Sequence, residues 1–345
     1  MTTQESNEAR TLAGVLATLQ VTEAIGHANL TLAPLQGGGR QHLDYMLAAE
    51  AIAAGSLAIT EVNEAGHVPE LLAVNNGLKL VLLLDGEELV GAKQNRILNT
   101  TVLLPPKSRT KIPVSCVEQG RWRHVSREFS AGAHSPSSLR GRNSRGVTAS
   151  LRSWGRAESN QGEVWDQVAE CVADAAVSAP TMAMHEVVEQ RRESLDAYVD
   201  ALPYPAGALG VMAAINGQFV AADVFDQPAT LERVWRRLVA GYAIDALGRQ
   251  KDKPVSFSAK AAGVLLEHVG QIPCTACPTV GLGEDWRFDA PDIVGKALVL
   301  ESVCAHLSAF PNDFGQERQA GYDSRIMPPS HRRRHRGPST GETVY

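Results

Sequence analysis

Two apolar runs, Gly210-Val-Met-Ala-Ala-Ile215 and Gln218-Phe-Val-Ala-Ala-Asp223, stand on either side of Asn216-Gly217. Asn and Gly accept positive φ at least cost, and a two-residue loop with both residues there has the twist that joins neighbouring antiparallel strands. The chain is thereby committed to at least one antiparallel sheet. Helical patterns surround the hairpin. Leu231 to Leu247 puts Val234, Trp235, Leu238, Tyr242 and Leu247 on one face and stops at Gly248, and Ala259 to His268 reads as another helix. Val164, Trp165, Val168 and Val172 mark a third, opened by Asn160 with Glu163 three residues on, as in a capping box. The β-branched residues and bounding Pro and Gly of Ile293 to Phe310 lean that apolar stretch to strand, or strand then helix.

In the first half, Leu43 to Ala54 has helical spacing and ends at Gly55. β-type segments follow over 57–62, 70–74, 79–84, 92–104 and 112–117, each bounded by Gly, Asn, Asp or Pro, which suggests an antiparallel meander. No repeat and no strict βαβ rhythm is present, so the expected class is α+β: a β-meander-rich N-terminal half packed with helices and a β-hairpin from the C-terminal half. A single body over 11–311 is expected, β-rich over 11–130 and mixed over 157–311, with a Ser/Arg/Gly-rich stretch from Ser135 to Arg156 between. Polar composition marks 1–10 and 312–345 as disordered tails.

A net charge of −5 gives no global footprint for nucleic acid or anionic membrane. The basic run holding Arg332, Arg333, Arg334 and Arg336 would at most touch nucleic acid weakly. No apolar stretch is long enough to cross a bilayer, the polar N-terminus lacks a signal-peptide pattern, and five cysteines are an odd number thinly spread. A cytoplasmic protein with reduced thiols is expected.

The chemistry concentrates in Asp85-Gly-Glu-Glu-Leu-Val-Gly-Ala-Lys-Gln-Asn-Arg96. Lys93, Gln94, Asn95, Arg96 and Asn99 crowd a segment that otherwise reads as strand, although such residues are depleted in strands. A second cluster, Glu118-Gln119-Gly120-Arg121, follows the apolar run Ile112 to Val117. With Pro105 to Thr110 as the connection and Leu104 paired near Ile112, Asn99 would face Val117, Leu98 would face Glu118, and Asn95 would face Arg121. The two clusters then form one patch. Lys93, Arg96 and Arg121 would grip a small anionic ligand, Gln94, Asn95, Asn99 and Gln119 would orient it, and Glu88 or Glu118 would move a proton. A buried network that fixes strand register is the other reading, as is an interface in a homo-oligomer. The residues indicate no metal site and name no cofactor.

The run Asp85 to Arg96, continuing through Ile97-Leu-Asn-Thr, and Val114-Ser-Cys-Val-Glu-Gln-Gly-Arg-Trp122 resemble the ARG and Rhodanese-Phosphatase-superfamily-associated protein domain family. The similarity extends through Ser159-Asn-Gln-Gly-Glu-Val-Trp165, Ser178-Ala-Pro-Thr181 and Ala305-His-Leu-Ser-Ala-Phe310. That family is named for association with ADP-ribosylglycohydrolases and rhodanese-phosphatases. The resemblance therefore implies a link to NAD or ADP-ribose metabolism and a ligand such as a nucleotide or ADP-ribose derivative, without assigning a reaction.

Cys274-Thr-Ala-Cys277 is a single CxxC with no second pair to complete a zinc site, and reads as a loop with two incidental thiols. Cys116 reads as a buried structural thiol, and His124, just past the second polar cluster, and His306, in the final apolar stretch alongside Cys304, read as satisfied core or surface histidines more readily than as catalysts. HExxH, GxSxG, P-loop and strand-borne GxGxxG patterns are absent, which takes support from the common hydrolase, kinase and dehydrogenase classes.

Overall fold

In the computed structural model, which describes residues 11–38, 41–63, 69–123, 125–249 and 257–312, the hairpin consists of Gly210–Ile215 and Gln218–Phe225 with Ile215 opposite Gln218. Asn216 and Gly217 adopt φ of 52° and 78°, the left-handed pair that this dipeptide accepts cheaply. The hairpin lies within a nine-stranded antiparallel sheet. Leu30–Gly37 pairs on one side of it and carries the short strands Leu19–Val21 and Ile25–His27. On the other side follow Val303–Pro311, Ile293–Leu300, Glu284–Asp289 and Thr275–Pro278. Early and late strands therefore share one sheet, so the layers do not follow the two halves of the sequence.

The stretch from Ile293 is thus two strands and contains no helix. Its turn uses Glu301 and Ser302 at φ 49° and 76°, and neither is the glycine that ordinarily betrays such a turn. Cys277 likewise sits in the edge strand Thr275–Pro278 rather than in a loop.

Six antiparallel strands form a second sheet in the order Phe129–His134, Glu87–Gly91, Arg96–Leu98, Ser108–Cys116, Glu70–Asn75, Leu57–Glu61. The expected meander is interrupted. Leu80–Leu83 and Val102–Leu104 leave it to pair with each other, and Leu80–Leu83 also pairs in parallel with Tyr45–Leu47. Tyr45–Leu47 runs directly into the helix Ala48–Ala53, so the expected helix over 43–54 begins as a strand.

The Ser/Arg/Gly-rich stretch is an 18-residue helix, Ser137–Trp154, with Ser137, Ser138, Gly141, Ser144 and Thr148 buried. Small side chains let its backbone approach the nine-stranded sheet. A Cβ on Gly141 would lie 3.0 Å from Phe310 Cβ. Leu139, Val147 and Leu151 are the large apolar side chains this helix buries, too sparse a stripe for apolar periodicity to reveal it. The next helix, Gln161–Asp174, has Asn160 as N-cap, accepting from the N–H groups of Gly162 and Glu163. Pro228–Leu247 and Ala259–Gln271 match the helical patterns, and Met184–Gln190 and Arg192–Ala201 add two more helices.

One apolar core joins the nine-stranded sheet to the helices Ala13–Leu16 and Ala259–Gln271 through Leu16, Leu35, Met212, Leu266, Phe288 and Leu307. Another fills the smaller sheets through Ile59, Leu83, Leu98, Val114 and Phe129. Each such side chain contributes about 1.5–3 kcal/mol on burial. The class is α+β. Among the described residues no helix is long and apolar enough to cross a membrane.

Candidate functional site

The run from Ala92 to Leu104 is not one strand. Glu87–Gly91 ends where Gly91 and Ala92 take φ of 135° and 40°, the chain turns through 93–95, and Arg96–Leu98 returns alongside. Lys93, Gln94 and Asn95 occupy that turn, where side chains that suit a strand poorly are at home. Asn95 Oδ1 accepts from the Gly91 N–H at 3.1 Å and closes the turn.

The expected register is also corrected. Leu98 pairs with Val114 rather than Glu118, a shift of four residues, because Val102–Leu104 has left for another sheet and Ile112 pairs with Leu71. The shift is even, so the same side chains keep the same face. Past Cys116 the chain curls back over the turn, and Arg121 Nη2 donates to Asn95 Oδ1 at 3.0 Å. The two clusters meet by this route.

Glu118 anchors the junction. Its Oε2 accepts from Asn95 N at 3.1 Å and Arg121 Nη2 at 2.6 Å, and its Oε1 from Arg121 Nε at 2.8 Å and Thr181 Oγ1 at 3.2 Å. Burial works to raise this carboxyl, but the Arg121 and Asn95 bonds outweigh it and hold Glu118 below the usual range. Arg121 also donates to the carbonyls of Ala92 and Arg123 at 2.9 and 3.2 Å. The segment Thr181–Met184 seals the edge: Gly120 N donates to Thr181 O at 2.8 Å and Met184 N to Val117 O at 2.9 Å. A Cβ on Gly120 would come within 2.9 Å of Thr181 Cα, so this approach requires glycine.

Arg96 is treated differently. It is 0 % exposed, Nη1 donates to Gln94 Oε1 at 3.0 Å, and Nε and Nη2 are buried without a hydrogen-bond partner. Among the described residues no carboxylate forms an ion pair with it. Its Cζ lies 5.9 Å from the ring centroid of Trp122, over which Lys93 Nζ also sits at 5.4 Å, and Trp122 is 51 % exposed. A guanidinium cannot shed its proton, and desolvating it costs several kcal/mol. An indole face returns only about 0.5–2 kcal/mol. Behind it, Cys116 Sγ donates to Gln94 Oε1 at 3.1 Å, and burial pushes this thiol up, with Arg96 and the Trp165 N–H favouring the thiolate. Trp165 lies on the helix Gln161–Asp174 with its indole N–H buried. Its helix docks through Gln161, whose amide bonds both Cys116 N and Cys116 O at 2.8 Å.

Three sequence-predicted residues stay outside this cluster. Glu88 pairs with Ile97 and so points to the face opposite Arg96. There its Oε2 meets His185 Nδ1 at 3.0 Å, and this bond raises the His185 pKa. Asn99 joins Ser115, Asn143 and the Ala157 carbonyl in a buried junction. Gln119 is exposed. His124 and the basic run with Arg332, Arg333, Arg334 and Arg336 lie outside the described residues, as do 1–10 and 313–345. All five cysteines are free, and burial pushes the Cys274 thiol up to about 11, which suits it poorly to disulfide exchange.

The sequence reading missed a second cluster, which centres on Arg140 of the Ser137–Trp154 helix. Arg140 Nη2 and Nη1 reach Asp223 at 2.5 and 3.0 Å, and Nε reaches Asp85 at 3.2 Å. Lys296 Nζ lies 3.1 Å from Asp85, and Tyr242 OH donates to Asp223 at 2.5 Å. His306 bridges Asp223 at 3.1 Å and Thr101 Oγ1 at 2.8 Å while stacking on Phe225. Burial raises both carboxyls, but Arg140 leads the charges that outweigh it, and both end well below the usual range. Burial pushes Lys296 down to about 8 against the pull of Asp85. Gly86, at φ 76°, makes room: a Cβ there would lie 2.7 Å from Arg140 Cγ. The available signal was a charge set inside an apolar strand, as at Asp223, Lys296 and His306.

Fold and clusters define an α+β protein with a balanced ionic core joining its sheets and a cationic loop site beside it. The profile of the ARG and Rhodanese-Phosphatase-superfamily-associated Protein domain (ARPP-1) matches residues 18–310, and the chain belongs to that family. The matched span contains both clusters. No curated protein and no solved structure matches the chain.

Proposed function

We propose that the protein binds a small anionic ligand at the turn carrying Lys93, Gln94 and Arg96. The observation that carries this reading is the Arg96 guanidinium, wholly buried with two nitrogens lacking hydrogen-bond partners. A phosphate or carboxylate supplies the acceptors and the charge that Arg96 lacks. Arg96 and Lys93 grip the anion, Gln94 holds Arg96 Nη1, and Asn95, Glu118 and Arg121 fix the turn. Because Nε and Nη2 have no solvent access, the Trp122 indole shifts to admit the anion. Glu118 is held ionised by its donors and Glu88 lies on the other face, so binding or sensing fits this site better than proton transfer. A nucleotide or ADP-ribose derivative is the ligand class that the family resemblance implies, and a cytoplasmic location accords with it.

Thermal denaturation with NAD, ADP-ribose, phosphate and pyrophosphate tests the proposal. A ligand at a hundredfold its Kd stabilises by about 2.7 kcal/mol. We expect at least one of the four to raise Tm in the native chain and none to do so in Arg96→Met. Silence from all four in the native chain overturns the reading. Light scattering on Lys93→Ala separates the interface alternative, which requires the mass to fall where the ligand site requires it unchanged.

A further inference from the structure

We propose that Trp122 makes the site selective for anions that carry a planar ring, the chemistry of a nucleoside phosphate. This inference rests on the anion-binding reading above and adds a specificity-determining residue to it.

Among the large apolar side chains exposed in the described residues, Trp122 and Trp154 offer an indole, and they differ in surroundings. Trp154 is 79 % exposed at the end of its helix. Trp122 has Lys93 and Arg96 over its ring, 5.4 and 5.9 Å from the centroid, while half of it stays open to solvent. Two cations and a stacking surface therefore occupy one place. A ligand ring laid on the open indole holds its attached anionic group next to both cations.

The backbone that carries the platform is also tied down. Val125 N donates to Ala92 O at 3.0 Å and Ala92 N to Ser126 Oγ at 2.9 Å, while Arg121 Nη1 donates to Ala92 O. Trp122 thus lies between two points that pin its segment to the Gly91-Ala92 bend. The two torsions of its side chain cost little entropy to order. Exposed Val125 adds apolar surface in the same segment. A bare phosphate uses the cations and leaves the indole idle, whereas a nucleoside phosphate uses both.

Isothermal titration calorimetry with AMP, ribose phosphate and pyrophosphate tests this on the native chain, Trp122→Leu, Trp122→Phe and Arg96→Met. We expect AMP to bind about tenfold or more tightly than ribose phosphate. That margin collapses in Trp122→Leu and persists in Trp122→Phe, while Arg96→Met loses all three ligands. Taking the ratio of two ligands on one variant cancels any effect of the substitution on the cations themselves. Equal binding of AMP and ribose phosphate to the native chain, or an unchanged ratio in Trp122→Leu, overturns the role of Trp122 while anion binding stands. If none of the three binds the native chain, the anion site itself is overturned and the selectivity with it.

Discussion

Arg140 and Arg96 are both wholly buried, yet the protein surrounds them in opposite ways. Arg140 faces Asp85 and Asp223, with Lys296 completing two cations against two carboxylates, and His306, Tyr242 and Thr101 occupy further bonding positions. Arg96 has a carboxamide and an indole face. The balanced cluster ties the Asp85-Gly86 turn and the Ser137–Trp154 helix to the nine-stranded sheet. The unbalanced one sits in a hairpin turn beside an exposed ring. A buried charge with full compensation ties elements of the fold together, whereas one left short costs stability.

The largest effect should come from breaking the balance. Asp223→Ala strands Arg140 next to a single carboxylate and deprives Tyr242 and His306 of their acceptor, for an expected loss of about 3–5 kcal/mol. At about 2–4 °C per kcal/mol for chains of this order, Tm should fall by roughly 10 °C or more. Arg140→Met should act similarly, and the double substitution should cost much less than the sum, since neither charge is then stranded. Additive losses in urea denaturation would mean that the cluster is not one electrostatic unit.

The same chemistry at Arg96 should have the opposite sign. Arg96→Met keeps most of the volume and removes an uncompensated charge, so the ligand-free protein should gain about 1–2 kcal/mol. That gain should accompany the loss of anion-dependent stabilisation. A destabilised Arg96→Met would place Arg96 with Arg140 as a structural cation and erase the contrast.

A step smaller, Glu118→Gln should cost about 1–2 kcal/mol, because Arg121 keeps its carbonyl acceptors while losing its charged partner. It should also weaken anion binding less than Arg96→Met, since Glu118 shapes the turn without contributing positive charge. Calorimetry on both variants decides the order.

The sequence made the hairpin, the long helices and the α+β class readable because each has a local signature: Asn216-Gly217, a 3.6-residue stripe ending at Gly248, the Asn160 cap. It also grouped 93–99 with 118–121, of which Asn95 meets Glu118 and Arg121 while Asn99 and Gln119 stay apart. The intended register was wrong, yet an even slip preserved the facing, and the contact of Arg121 with Asn95 comes from a curl after Cys116 that no strand pairing encodes. What stayed hidden had no local signature. The Ser137–Trp154 helix packs through small residues, Glu301-Ser302 turns without glycine, and Asp85, Asp223 and Lys296 are separated by up to 211 residues (296 − 85) before the sheets bring them together. Compensation of charge is a property of the folded arrangement, so the difference between Arg96 and Arg140 cannot be read from either residue's neighbours in sequence.

The smallest effect belongs to a pair that lies between the two cases. Glu88 is buried, its Oε1 lacks a hydrogen-bond partner, and its Oε2 meets His185, which is about one-third exposed and also 3.6 Å from Glu189. The Glu88 bond raises the His185 pKa above that of the unfolded chain. The stability this contributes is therefore fully present below the unfolded value near 6.5 and is lost as pH rises through the folded value. Partial exposure keeps the contribution below about 1 kcal/mol. In Glu88→Gln the raised value should relax toward that of an ordinary histidine, which NMR titration of the imidazole reads directly, and the pH dependence of Tm between about 6 and 8 should flatten. Should the imidazole titrate identically in both proteins, Glu88 does not compensate His185, and the buried carboxylate becomes a second uncompensated charge on the opposite face of the sheet from Arg96.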